Sequence, residues 1–210
     1  MPIWMQDTEA DSPSANDHHL KRDVSLSMEK VNVMAIPIAF LPVVVVCAPF
    51  LLLWGSARLL GGGHELFHWY VIVPALVGGI VVHELLHGIA WAMFGKKSIS
   101  TIRFGISWKT LTPFAHCSEP MSARAYRWGA VMPGMALGAI PALYGLLAGS
   151  GGWALYGMIF LIAATGDFIV LWVIRGVPAT VLVEDHPHRA GCFVYDVPSD
   201  RSQDSVVPDA

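Results

Sequence analysis

The sequence predicts an all-α membrane protein with about four transmembrane helices and a short strand-containing cytoplasmic segment between helices two and three. Three observations predict it. Hydrophobic residues make up 54% of the 210 and charged residues only 14%, against roughly 25% charged in soluble domains. Four apolar stretches each approach or exceed the roughly 20 residues that a spanning helix needs. Trp54, Trp69, Trp128, Trp153 and Trp172 stand at or near the ends of those stretches, where amphipathic rings anchor at the membrane interface.

Residues 1–32 are polar, rich in Asp, Glu, Ser and His, and read as a disordered N-terminal tail with no leader-like pattern. A membrane-embedded domain is expected over 33–176, and a cytoplasmic C-terminal tail over 177–210. Helix one is expected at 33–54, helix two at 69–94, helix three at 128–147 and helix four at 153–174. The link 95–127 carries Lys96, Lys97, Arg103, Lys109, Arg124 and Arg127 against the single acid Glu119, whereas 55–68 carries only Arg58 as a base. The excess of positive charge places 95–127 in the cytoplasm and both termini with it, so the chain is a multi-pass protein of the cell membrane. Within that link, Ile99, Ile102, Phe104, Ile106 and Trp108 alternate with polar residues, the pattern of one or two short strands lying on the membrane surface. Cys47, Cys117 and Cys192 are too few and too odd in number for a disulfide framework.

The pattern His-Glu-x-x-His occurs twice, at His64-Glu65-x-x-His68 and at His83-Glu84-x-x-His87. On a helix, histidines four apart share one face and can hold one zinc ion. The glutamate, about 100° further round, reaches a metal-bound water instead of the metal. Gly61, Gly62 and Gly63 make a poor start for a rigid helix ahead of the first copy, which then sits at the outer boundary where water satisfies it. The second copy is buried in an apolar helix, where ionisable groups are functional by default.

A catalytic zinc site usually takes a third protein ligand, and Asp167 stands alone among apolar residues in helix four. His83 is fourteen residues past Trp69, and Asp167 is fourteen residues past Trp153, on helices that run the same way. At 1.5 Å per residue both groups lie about 21 Å below the outer surface, at one level. Small residues at Gly79, Ala90, Ala163 and Ala164 suit close approach of the two helices. His83, His87 and Asp167 are therefore the candidate ligands of one Zn2+ per chain, and Glu84 is the candidate general base.

"HELLHGIAW", "FGISWKTLTPFAHCSEP", "RWGAVMPG", "TGDFIVLW" and "DHPHRAGCFVYD" together resemble the zincin peptidases, a family of multi-spanning bacterial and archaeal membrane proteins. The resemblance covers roughly residues 65–196. It implies a membrane metallopeptidase with His83 and His87 as zinc ligands and Glu84 as catalytic residue, and gives weight to Asp167 and to the "HCSEP" stretch. A more distant likeness is to the site-2 intramembrane zinc proteases, which also pair this motif with an aspartate on a later helix. Here Gly166 precedes Asp167 instead of following it, and the only asparagines are Asn16 and Asn32.

Zinc-activated water with Glu84 as proton carrier would hydrolyse a peptide bond. An additional donor for the oxyanion is expected, with His116 the candidate. His116, Cys117 and Glu119, with His186, His188 and Cys192, form a weaker candidate for a second, structural zinc site; their spacing fits no standard finger. Alternatively, "DHPHRAGC" caps the mouth of the site. The expected partners are the lipid bilayer and a peptide or membrane-protein substrate, with no nucleic acid. The alternative from another class is a metal-binding or metal-transporting protein without peptidase activity. A passage would need polar residues toward both faces, and helix two offers none between Trp69 and His83. An inactive scaffold would not need the intact Glu84.

Overall fold

The computed structural model describes residues 20–108 and 112–196. Helices α1 (Met28–Ile38) and α2 (Phe40–Leu66) form the first apolar run. Gly55, at φ 78° and ψ 168°, interrupts α2 one residue beyond Trp54, a conformation that costs glycine little. Beyond the kink the chain stays helical through Gly61–Gly63, contrary to the expectation from glycine propensity. Close packing accounts for it. A Cβ on Gly62 would meet the Gly152 nitrogen at 2.2 Å, and one on Gly151 would meet the Arg58 carbonyl at 2.5 Å. The glycines are the contact itself.

Helix α3 (Trp69–Phe94) spans the residues expected for helix two. Most of its apolar side chains are exposed, as a lipid-facing helix requires. The third run, Ala123–Ala148, consists of α4 (Ala123–Pro133), a π-helical turn at Gly134–Ala139 and α5 (Ile140–Ala148). The fourth is not one straight span. It divides into α6 (Gly151–Ala163) and α7 (Thr165–Val173), bent by 44° at Ala164.

The link after α3 forms a hairpin of β2 (Ile102–Ser107) and β3 (Thr112–Cys117), with Phe104 opposite Ala115 and Arg103 opposite His116. The strand-bearing segment expected between helices two and three is thus present. A second sheet was not expected. Strands β1 (Leu20–Leu26), β6 (Ala190–Asp196), β5 (Leu182–Asp185) and β4 (Met121–Ser122) pair antiparallel in that order. Strand β1 and the start of α1 occupy part of the segment read as an N-terminal tail, and β5 and β6 part of that read as a C-terminal tail. The sequence LKRDVSL looks polar because one face is solvated; Val24, on the other, packs onto a buried cluster with Cys192 and Val194. The tail readings for 1–19 and 197–210 lie outside the described residues.

The pairing of β1 with β6 also counts the spans. The chain enters the helical layer after β1 and leaves it before β5 and β6, and β1 and β6 are hydrogen-bonded neighbours. Both strands therefore lie on one side, which an even number of crossings satisfies. With three long apolar runs, the bent pair α6–α7 taken as one span brings the number to four. The cluster around Trp91, Tyr126, Met121, Ile174, Val183 and Cys192 joins α3, α4 and the end of α7 to the sheets.

Candidate metal centre

His83 and His87 project from one face of α3, with ring centroids 5.0 Å apart and planes at 73°. Asp167 comes from the first turn of α7. The break at Ala164 turns the helix start inward, and the partial positive charge of that start favours a carboxylate. Asp167 Oδ2 lies 3.2 Å from His83 Nε2, and Oδ1 lies 3.5 Å from His87 Nε2. One potential ligand atom from each of the three residues falls within 4.8 Å of the others. Bonds of about 2.0–2.1 Å in a tetrahedron give ligand-to-ligand edges of about 3.3–3.4 Å. The two carboxylate-to-imidazole spacings, one from each oxygen of Asp167, are of that size.

The donor set passes a second test. Asp167 Oδ2 is buried and has no hydrogen-bond partner among the described residues. His83 Nε2 is close enough for an ion pair but is not aligned for a hydrogen bond. A buried orphan oxygen costs about 1–3 kcal/mol or more; a cation between it and the two imidazoles would remove that cost. His87 Nδ1 donates to the Gly129 carbonyl at 3.0 Å. Since a carbonyl can only accept, the proton is on Nδ1 and the Nε2 lone pair is left for a metal.

Two glycines set the distances between helices. A Cβ on Gly79 would meet the Phe160 ring of α6 at 2.0 Å, and one on Gly129 would meet Trp91 Nε1 at 1.9 Å. Trp91 stacks on His87 at 5.8 Å and on Tyr126 at 6.0 Å. Glu84 is half-buried, and the backbone N–H of Ala115 on β3 faces its carboxyl. The β2–β3 hairpin is thus brought against α3 beside the two histidines.

The remaining candidates are placed elsewhere. His116 Nδ1 is 2.8 Å from Asp185 Oδ2 on β5. Cys117 is fully buried and its Sγ points to the Glu119 carbonyl at 3.7 Å, while the Glu119 carboxylate pairs with Lys97 at 3.2 Å. His186 Nδ1 accepts from the His188 and Arg189 backbone nitrogens, closing the turn before β6. Burial pushes the Cys117 thiol up and that of Cys192 to about 12. Among the described residues, His83, His87 and Asp167 are the group that could hold a metal, and His116, Cys117, Glu119, His186, His188 and Cys192 do not assemble into one. His64 is exposed, and His68 is the N-cap of α3 instead of a continuation of α2.

Sequence reasoning did not find Gly129, Tyr126 or Asp185. Trp91 stands four residues beyond His87, on the same face, and was the available pointer toward Gly129 and Tyr126. Asp185 sits in a turn-like stretch where an acid looks merely solvated.

Residues 76–182, just over half of the chain, match the family described as "Putative zincin peptidase". The match contains His83, Glu84, His87 and Asp167 and excludes the 64–68 motif. No curated protein and no solved structure matches the chain.

Proposed function

Because this chain belongs to the zincin peptidase family, we propose that it is a membrane-embedded metallopeptidase, holding one Zn2+ on His83, His87 and Asp167 and using Glu84 as general base. The observation that carries the reading is the Asp167 carboxylate. It stands among apolar helices, its Oδ2 is buried with no hydrogen-bond partner among the described residues, and its two oxygens lie 3.2 and 3.5 Å from the Nε2 atoms of His83 and His87. A zinc ion bound there supplies Lewis acidity and brings the pKa of water toward 7.

Glu84 follows His83 by one residue and so is turned about 100° away from the ligand face. From there its carboxylate takes a proton from the attacking water and returns it to the leaving amine. The Ala115 N–H orients that carboxylate. Among the described residues strand β3 pairs with β2 alone, and its other edge is the proposed place for an extended peptide to bind through the backbone. The substrate is a peptide or an unwound segment of a membrane protein. The basic residues of the sheet-bearing links favour a cytoplasmic position for the sheets and for both termini.

The test is metal content per chain in detergent-purified wild type, His83→Ala, Glu84→Ala and His64→Ala. The expected result is near one zinc in every form but His83→Ala, together with cleavage of fluorescein-labelled casein that Glu84→Ala abolishes. Zinc retained by His83→Ala, or a wild type without metal in non-chelating buffer, would sink the reading.

A further inference from the structure

We propose that Gly166 is a specificity-determining residue: its bare backbone forms one wall of the substrate cleft and receives an apolar side chain flanking the scissile bond. The inference rests on the peptidase reading above.

Gly166 immediately precedes Asp167 in the first turn of α7. Its φ is not positive, so the course of the chain does not call for glycine. Packing does not call for it either, since a Cβ there would meet nothing within 4 Å. By contrast, a Cβ on Gly129, Gly145 or Gly157 would strike a neighbouring helix at 2.3 Å or less. Glycine weakens a helix relative to alanine. Where neither a turn nor a neighbour requires it, the remaining use is close approach of a ligand to the backbone.

The face that Gly166 occupies points inward. Gly166, Val170 and Val173 share one side of α7, at i, i+4 and i+7. Val170 and Val173 pack against the buried cluster that contains Trp91, and Trp91 stands one turn beyond His87 on α3. Toward the cytoplasm that cluster closes the space between the two helices. One turn higher, at the level of Asp167 and the two histidines, the same face carries no side chain. Gly78 is equally open, but it lies among Val77, Val81 and Val82 on the exposed side of α3, which lipid covers.

The two oxygens of Asp167 lie 3.2 and 3.5 Å from His83 and His87, and the Cα atoms of Gly166 and Asp167 are about 3.8 Å apart. A carbonyl held at those three residues therefore puts a flanking side chain within reach of Gly166. The wall it meets is helix backbone above Val170, which suits an apolar side chain. A methyl or isopropyl group on residue 166 would take up that room.

The test uses the full chain in detergent with zinc bound, as wild type, Gly166→Ala, Gly166→Val and Gly78→Val. The probe is a quenched fluorescent peptide that the wild type cuts, made with Leu or with Ala at the positions flanking its scissile bond. Zinc stays near one per chain throughout. In Gly166→Val, kcat/KM falls about 30-fold or more on the Leu peptide and stays within about threefold on the Ala peptide, with Gly166→Ala between it and wild type. Gly78→Val matches wild type on both. A second readout needs no turnover: in a Glu84→Gln background, Gly166→Cys reacts with a maleimide, counted by mass over the wild-type thiols, and excess Leu peptide protects it. Losses equal on the two peptides, a Gly166→Val indistinguishable from wild type, zinc lost from Gly166→Ala, or labelling indifferent to peptide would overturn this inference alone. A zinc-loaded wild type that cleaves neither casein nor peptides would overturn the peptidase reading and this inference together.

Discussion

The two His-Glu-x-x-His motifs hold their imidazoles in nearly the same arrangement. His64 and His68 have ring centroids 4.7 Å apart at 80°, and His83 and His87 have 5.0 Å and 73°. The similarity shows how little the pair alone specifies. Only the second pair meets a carboxylate from another helix, has one ring nitrogen tied to a carbonyl, and lies inside the apolar packing. In the first, His64 is exposed and the pair is split by the end of α2, with His68 stacked on Tyr70 instead of a tryptophan in the core. A metal centre is specified by what surrounds the histidines.

The largest expected effect tests that difference directly. Asp167→Ala should reduce bound zinc from near one per chain to near zero, measured by atomic emission, whereas Glu65→Ala should leave it unchanged. A pair of histidines sufficient by itself would keep its zinc in Asp167→Ala. Next, Glu84→Gln should keep the metal and lower casein cleavage by about 100-fold to 10,000-fold, and Glu65→Gln should match wild type. Equal losses in the two would erase the distinction.

Glycine substitutions sharpen the comparison at smaller scale. Gly129→Ala forces a methyl group onto Trp91 Nε1 and displaces the carbonyl that holds His87. Zinc affinity, by competition with a chelator, should fall about 10- to 100-fold. Gly62→Ala, beside the first motif, drives a methyl into the α6 backbone; it should lower the melting temperature and leave zinc affinity alone.

The smallest effect belongs to the sheet, which neither motif enters. Lys21 Nζ lies 2.8 Å from Glu184 Oε2. The hydrogen bond to Glu184 raises the Lys21 pKa. Burial pushes the Glu184 carboxyl up, but hydrogen bonds from Lys21 and Tyr195 outweigh it and hold it below its ordinary value. Stabilisation from Glu184 is present above its unfolded pKa and lost as pH falls through the lower folded value; that from Lys21 is present below its unfolded pKa and lost as pH rises through the higher folded value. The pair thus acts from about pH 4.5 to 10.5. Lys21 is half exposed, so Lys21→Met should cost under about 1 kcal/mol in thermal unfolding at pH 7, with no change in zinc content.

Much of the membrane layer was legible in the sequence because lipid imposes simple rules. Helix α3 starts and ends at the residues that hydropathy and Trp69 indicate. Equal distances from Trp69 and Trp153 anticipated that His83 and Asp167 would meet, and the structure puts them 3.2 Å apart. The bend at Ala164 was not legible, since no proline or glycine occupies that position. Nor was the four-stranded sheet: Leu20 pairs with Asp196 across the whole length of the described fold, and no local pattern announces a partner that distant. The glycine triplet misled for a related reason. Propensity describes an isolated helix, and at Gly62 the backbone of Gly151 and Gly152 needs the space that a side chain would fill.

The strand pair β1 and β6 also places assembly in time. During synthesis β1 emerges before the described membrane segments and β6 after them, so the first strand waits for its partner until those segments have been made. A copy that misses one crossing leaves these strands on opposite faces of the bilayer. It cannot close the sheet, and Asp185 and the β4 junction lose their support. Completion of insertion is thereby coupled to completion of the site, and an unfinished chain carries an open strand edge, the kind of surface that chaperones and degradation machinery recognise.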